Sequence, residues 1–329
     1  MTPRASAPPR ISVAMCTYNG GAFVDAQLNS IARQTHRPDE LVVCDDGSID
    51  DTCARVEYFI TRAPFPVRLV TGDKTVGPSA NFERAISLCT GTLIALADQD
   101  DVWEPNKIAR LESEFRNEPD VGYVFSDAEV IDSTGRLCNY RLWESIGFGA
   151  AQQQRFTGGE AMSILARENV VTGATLMFRA DLRNTLLPIP VSWVHDGWVA
   201  AVLSCVSRGV PVVEPLVRYR THASQLIGTR PRTLSRQIGT ARAMDHACFA
   251  RLVDAWQALR DRVVTSGALM PGSTALRTID EKIVHATTRC TMRSGTRLAR
   301  VGRVCSELRA RRYSPYSLGW KSVLQDLFL

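Results

Sequence analysis

A chain of 329 residues holds one large domain or two ordinary ones, and 45% hydrophobic with 22% charged residues is the composition of a soluble globular protein. No run approaches the roughly 18 apolar residues of a membrane span. MTPRASAPPR lacks the apolar core of a secretory signal, and nine scattered cysteines without a CxxC pair argue for a reducing compartment and against zinc or disulfides. The net charge of +5 is uneven: residues 231–329 carry 17 Lys+Arg against 7 Asp+Glu, leaving residues 1–230 at −5, so an anionic partner is expected for the basic last third.

Residues 1–9 read as a disordered leader. Ile11 to Met15 (ISVAM) is an apolar run ended by Asn19-Gly20-Gly21, the pattern of a buried strand. Phe23, Ala26, Leu28 and Ile31 then share a helical face. Leu41 to Cys44 is a second strand ending at Asp45-Asp46-Gly47-Ser48, and Asp50 or Asp51 caps a helix to about Arg62. Val67 to Val70 is a third strand, Asn81 to Cys89 a helix, and Leu93 to Ala97 (LIALA) a fourth strand. Strands alternating with helices predict an open, mostly parallel sheet, whose ligands sit at the carboxyl ends of the strands.

Val121 to Ser126 is a further strand. Residues 136–165 are turn-rich and read as irregular. Asn169 to Phe178 reads as a strand broken by Gly173, Val191 to Trp198 as the stretch that opens an apolar helix through Ser207, and Val212 to Val217 as a last strand. From about Leu234 to Arg312 the pattern is helical. There is no GxGxxG after the first strand and no GxxxxGK[ST], so a Rossmann dehydrogenase or P-loop ATPase is disfavoured.

The chemistry concentrates at strand ends. After LIALA, three carboxylates fall within four positions: Asp98, Asp100 and Asp101. Their mutual repulsion calls for a cation, and hard ions such as Mg²⁺ or Mn²⁺ take carboxylate oxygens. A solvated loop opening a helix at Glu104-Pro105 is the plainer reading. Tyr18-Asn19 and Asp45-Asp46 lie at comparable strand ends. Asp196, in His195-Asp196-Gly197-Trp198, is either a helix cap or a general base beside apolar surface, with Trp193 and Trp198 available to stack on a sugar. His222 could complete a carboxylate metal site. The Asn81 helix start and Lys74 are weaker candidates. LIALADQDDV also fits the nucleophile strand of haloacid-dehalogenase-type phosphohydrolases with Asp98 and Asp100, but two strand–helix units precede it, and no convincing Lys and GDxxxD partner follows.

In order, SVAMCTYNGGAFVDAQLNSIARQT, VVCDDGSIDDT, VGPSANFERA, ADQDDVWEPNKI, NVVTGATLMF, HDGW and YRTHASQLIG resemble the GT-A inverting glycosyltransferases of family 2, most closely bacterial rhamnosyltransferases and polysaccharide glycosyltransferases. The resemblance implies an α/β GT-A fold, with nucleotide-sugar and acceptor halves at 10–104 and 105–230 and a helical extension at 231–329. It places Thr17, Tyr18, Asn19 and Asn81 at a nucleotide pocket and Asp46 on the pyrimidine. Asp98 falls on ribose or metal, Asp100 on the metal at the diphosphate, and His222 near that ion. Asp196 becomes the base, with Gly173, His195 and Trp198 on the acceptor side. It further implies Mg²⁺ or Mn²⁺, a dTDP- or UDP-sugar donor (rhamnose among the candidates), and a glycan or lipid-linked acceptor in surface-polysaccharide synthesis. A catalytically inactive binding module is the non-enzyme alternative.

In the last third, Arg289, Arg293, Arg297 and Arg300 recur at helical spacing, Leu298, Val301, Cys305 and Leu308 form an apolar stripe, and Tyr313, Tyr316, Leu318, Trp320, Leu324, Leu327 and Phe328 supply an aromatic-apolar end. This predicts either a helical subdomain with a solvated basic face or a peripheral contact with an anionic membrane on its cytoplasmic side. Nucleic acid fits poorly, because the acidic body carries the recognisable site.

Overall fold

A computed structural model describes residues 8–116, 118–223, 225, 244–270, 272–294 and 296–328. The expected leader through residue 7, and the stretch near Leu234 where a helix was expected to begin, lie outside these residues. Two compact units arise, each from separated segments. The first is Met1–Leu142, Thr172–Leu187 and Val210–Gln225; the second is Trp143–Val171, Pro188–Gly209 and Leu226–Leu329. This division differs from a cut at residue 230, because the chain leaves and re-enters each unit.

The first unit is built on a nine-stranded sheet: β1 (Ile11–Thr17), β2 (Glu40–Asp45), β3 (Val67–Thr71), β4 (Leu93–Ala97), β5 (Val102–Trp103), β6 (Val121–Ile131), β7 (Leu137–Arg141), β8 (Leu176–Arg179) and β9 (Arg208–Arg220). The spatial order is β3-β2-β1-β4-β8-β6-β9-β5, with β7 on β6. Strands β1 to β4 are parallel, as alternation with helices predicts. Beyond β4 the pairings of β8, β5 and β7 are antiparallel, so the sheet is parallel only over its first half. Every residue of β1 and β4 is buried, which is why both read as unbroken apolar runs. Helices α1 (Val24–Ala32), α2 (Thr52–Ile60), α3 (Pro78–Leu88), α4 (Lys107–Ser113) and the short α8 (Arg183–Leu186) complete this unit.

The second unit is helical. It contains α5 (Leu142–Ile146), α6 (Ala150–Arg155), α7 (Ala161–Leu165), α9 (His195–Val206), α10 (His246–Ser266), α11 (Ala275–Ser294), α12 (Arg297–Arg309), α13 (Tyr313–Tyr316) and α14 (Trp320–Phe328). Asp245 caps α10 by accepting from the Cys248 amide at 2.8 Å, and Gly267 ends it in the left-handed region at φ 61°. Helices α10 and α11 pack along each other, and α12 packs on α14 around Met292, Val304, Tyr313, Val323 and Leu327.

A buried polar network corrects the expected basic stripe. Arg289, 5% exposed, grips Asp326 with two bonds of 2.7 and 3.0 Å, and Arg293 reaches the same carboxylate at 3.0 Å. The Tyr313 hydroxyl donates to it at 2.9 Å. Half of the supposed solvent-facing stripe is therefore internal, because α14 supplies a buried acid. The Arg297 side chain lies outside the description. Alongside, His285 joins Glu307 at 2.6 Å and the Ser317 hydroxyl at 3.2 Å, all buried, and that hydroxyl donates to the Tyr313 carbonyl.

Candidate active site

The parallel register sets Thr17 beside Asp45 and Met15 beside Ala97, so the loops following β1, β2 and β4 leave the same sheet edge. At β2 the Asp45 carboxylate builds its own turn. It accepts from the Gly47 and Ser48 amides at 3.1 and 2.7 Å, and from the Ser48 and Thr17 hydroxyls at 2.6 and 2.7 Å. Burial raises its pKa, but the hydrogen bonds from Ser48 and Thr17 outweigh this and hold it below the usual range. Thr17 is therefore consumed as a brace and is buried.

Asp46, expected on a pyrimidine, is also buried and gives one oxygen to each of the Val76 and Gly77 amides, both at 2.8 Å. It anchors the loop after β3. Asn81 is corrected more plainly. Only 1% exposed, it donates to the Cys44 carbonyl at 2.7 Å and accepts from Arg84 at 2.9 Å, so both ends of its amide are spent tying α3 to β2.

Tyr18, 46% exposed, and Asn19 remain at the open edge. Asn19 takes φ 46°, its amide donates to the Ser48 hydroxyl at 2.8 Å, and its side-chain oxygen accepts from Ile49. Gln99, which sequence reasoning passed over, clasps the Tyr18 backbone by two bonds of 2.8 and 2.9 Å. Gly20 makes room for this clasp: a Cβ there would fall 2.1 Å from the Gln99 amide oxygen.

After β4, Asp100 Oδ2 lies 2.8 Å from His222 Nε2. The two residues come from separate loops 122 positions apart. Phe23 packs against the imidazole with centroids at 4.8 Å. Arg220 locks the pair from behind. Its Nε donates to the Asp100 carbonyl at 2.6 Å, its amide to Asp101 Oδ1 at 2.8 Å, and its guanidinium lies over Phe23. Sequence reading missed Phe23 and Arg220, since one looks like ordinary helix packing and the other like a charge at a strand end.

Asp101 braces β9, while the residue preceding α4 is Asn106. It is fully buried, and burial first, then the charges of Asp100 and Asp98, push its pKa up. Beneath it Lys107 is also fully buried, donates to the Ala174 carbonyl at 2.6 Å and sits over the Trp103 ring; burial pushes its pKa down. This bond holds the buried Gly173–Thr175 turn, where Gly173 was expected on the acceptor side.

Among the described residues no group of three or more His, Cys, Asp or Glu side chains is arranged to hold a metal, so the expected cage of Asp98, Asp100 and His222 does not form. The pair does fit an ion. Adjacent ligands of an octahedral ion at about 2.1 Å lie about 3.0 Å apart, close to the 2.8 Å seen. Mg²⁺ sites commonly take one or two protein ligands and complete themselves with phosphate oxygens.

In the second unit, Asp196 lies in the first turn of α9, two residues after the cap position at Val194, so it is not the helix cap. It is partly exposed, accepts from the Gly197 amide and is approached by the Asn169 side-chain amide at 3.4 Å. A carboxylate there is favoured by the helix dipole. Its neighbours do not serve as expected. His195 is buried, and burial takes its imidazole down to about 3. Trp198 is fully buried against Trp193 and the Arg262 guanidinium, closing it to a sugar face.

The profile of glycosyl transferase family 2 matches residues 12–168, which contain every strand-edge loop described above except that of His222. Over those residues the chain is similar to glycosyl transferase family 2. An uncharacterized glycosyltransferase of Nostoc sp. is 26% identical over 65% of this chain and 66% of its own length. An Escherichia coli enzyme, UDP-Glc:alpha-D-GlcNAc-diphosphoundecaprenol beta-1,3-glucosyltransferase WfgD, is 28% identical over 37% of this chain and 47% of its own. The chain thus spans less than two thirds of the length of those relatives. In fold it resembles the mannosyltransferase PcManGT of Pyrobaculum calidifontis, solved with GDP-Man and Mn²⁺. The TM-score is 0.53 at 18% identity, with 99% of this chain and 87% of that one covered. The match does not favour the phosphohydrolase alternative.

Proposed function

We propose that this glycosyltransferase moves a sugar from a nucleoside-diphosphate sugar to a hydroxyl of a glycan or lipid-linked acceptor, with inversion at the anomeric carbon. The observation carrying the proposal is the Asp100–His222 pair at the sheet edge, held by Arg220 and flanked by the Tyr18–Gln99 clasp. Asp100 and His222 would hold Mn²⁺ or Mg²⁺, the kind of ion bound with the donor in the mannosyltransferase of similar fold. When bound, such an ion supplies neutralising charge for the departing diphosphate. Arg220 fixes the Asp100 backbone, so the carboxylate keeps its direction. Asp98 is assigned to the ribose, and Tyr18 and Asn19 to the nucleotide.

Asp196 is assigned as the base that takes the acceptor hydroxyl's proton. The acceptor oxygen then bonds to the anomeric carbon as the bond to the diphosphate breaks on the opposite face. Burial keeps the neighbouring His195 uncharged, so it does not compete with Asp196 for this role. A dTDP- or UDP-sugar is the expected donor, rhamnose being one candidate. The diphosphoundecaprenol acceptor of the E. coli relative supports a lipid-linked acceptor at the inner face of the cell membrane, in surface-polysaccharide synthesis.

Nucleoside diphosphate release from a panel of dTDP- and UDP-sugars, with Mn²⁺ and with chelator, tests the reading. Asp196→Asn is expected to lose about 10²–10⁴ in turnover while nucleotide affinity persists. Full turnover in that variant, or no release from any donor, refutes the assignment.

A further inference from the structure

We infer that the outer faces of α12 and α14 form a docking surface for an anionic lipid bilayer. Both helices are amphipathic and turn their inner faces to a core shared with Met292 and Tyr313. Val304 and the buried Glu307 of α12, with Val323 and Asp326 of α14, point inward. Their other faces are apolar and open. On α12, Leu298, Val301, Cys305 and Leu308 follow one another at three- and four-residue steps, with Leu298 86% exposed. On α14, Trp320, Leu324 and Phe328 recur every four residues, with Trp320 72% and Phe328 76% exposed. Residues at these spacings share one helical face. Among the described residues nothing covers either row, and such a concentration of open apolar side chains marks an interaction site.

Charge selects the occupant. Residues 296–328 contain only two acids, Glu307 and Asp326, and both are buried in ion pairs. The exposed charges Arg309 and Arg311 of the segment are both positive. Arg309 falls one residue past Leu308 and Arg311 three residues past it, so cations border the apolar row of α12. A second copy of this chain would bring the same cations face to face. An anionic headgroup layer accepts them, and the acyl boundary takes the Trp, Leu and Phe side chains. The surface keeps the apolar stripe and the aromatic-apolar end expected from the sequence but not the first two arginines of the basic stripe, Arg289 and Arg293, which are internal.

The inference adds to the lipid-linked acceptor proposed above but stands on this surface alone. Its test is co-sedimentation of the full chain, without nucleotide sugar, on vesicles of phosphatidylglycerol with phosphatidylcholine and on phosphatidylcholine alone. Binding is expected on the anionic vesicles only. The Trp320→Ser/Leu324→Ser/Phe328→Ser variant should lose more than about tenfold, and Arg309→Glu/Arg311→Glu at least about fivefold per charge. Both should keep the parent melting temperature and turnover on a soluble acceptor. Asp196→Asn should bind vesicles like the parent, which separates failure of docking from failure of the catalytic reading. Equal binding to neutral vesicles, no binding, or parent-like binding by the triple variant overturns the inference. Self-association in vesicle-free buffer that the triple variant abolishes also overturns it, in favour of a second copy.

Discussion

Replacing Asp326 with alanine tests the architecture of the second unit directly. The carboxylate is 1% exposed and receives four bonds: two from Arg289, one from Arg293 and one from the Tyr313 hydroxyl. Alanine leaves two guanidiniums in sites where their side chains are only 6–7% exposed. Removing one partner of a buried ion pair costs about 3–5 kcal/mol, most of it the stranded charge. In a unit of this size each kcal/mol moves the melting temperature by about 2–4 °C, so a fall of about 6–20 °C is expected. The assay is thermal unfolding of the full chain by circular dichroism. The combined variant Asp326→Leu/Arg289→Met/Arg293→Met, which removes every charge of the cluster, should recover much of the loss, since an apolar replacement of a buried pair is often near neutral. A shift in Asp326→Ala smaller than about 2 °C would refute the argument. It would mean that Arg289 and Arg293 are hydrated in solution, as the bare periodicity suggested.

Acid sensitivity follows from His195. Its folded pKa is about 3 against about 6.5 unfolded, so between those values the unfolded chain binds a proton that the folded chain refuses. Stability should therefore fall as the pH drops through that window and be unaffected by this group above it; His195→Gln should flatten the acid limb of the urea midpoint, and an unchanged limb contradicts the reasoning. Gly20→Ala would drive a methyl group into Gln99 and break its clasp on Tyr18. Affinity for a nucleoside diphosphate with Mn²⁺, measured by calorimetry, should drop about tenfold. Adding Gln99→Ala should make matters no worse than Gln99→Ala alone, and parent-like affinity in Gly20→Ala would remove the clasp from the site.

Local pattern carried the parallel half of the fold, and LIALA is β4 to the residue. It failed where structure depends on distant partners. Residues 136–165 looked irregular because their helices are short and Gly159 interrupts them at φ 95°. The strand expected from Asn169 shrinks to Leu176–Arg179, because Gly173 begins a 3₁₀ turn held by Lys107. β5 is two residues long and exists only through its pairing with β9. Within the site, residue types at strand ends were legible, and the His222–Asp100 meeting follows the expected grouping. What each carboxylate touches was not. Asp46 is claimed by amides 30 and 31 residues away, and Asn81 by a carbonyl 37 residues back. Helical spacing marked Arg289 and Arg293 as one face without saying that an acid 37 and 33 residues on would cover it.

The place of β8 between β4 and β6 sets a timetable for synthesis. β4 is complete at Ala97, yet the strand that covers its free edge begins only at Leu176, about 80 residues later. At about 5–20 residues per second the ribosome leaves that edge bare for roughly 4–16 s. The edge is LIALA, uncharged, without Pro or Gly, and rich in unpaired backbone groups, the composition that templates strand-to-strand association between chains. A fragment ending at residue 168 would keep this edge open permanently, with β6 equally bare across the gap. The nascent chain's period of greatest exposure is thus fixed by strand order, and the carboxylates that follow β4 at once, Asp98, Asp100 and Asp101, are the charges nearest to hand to discourage another chain from pairing there.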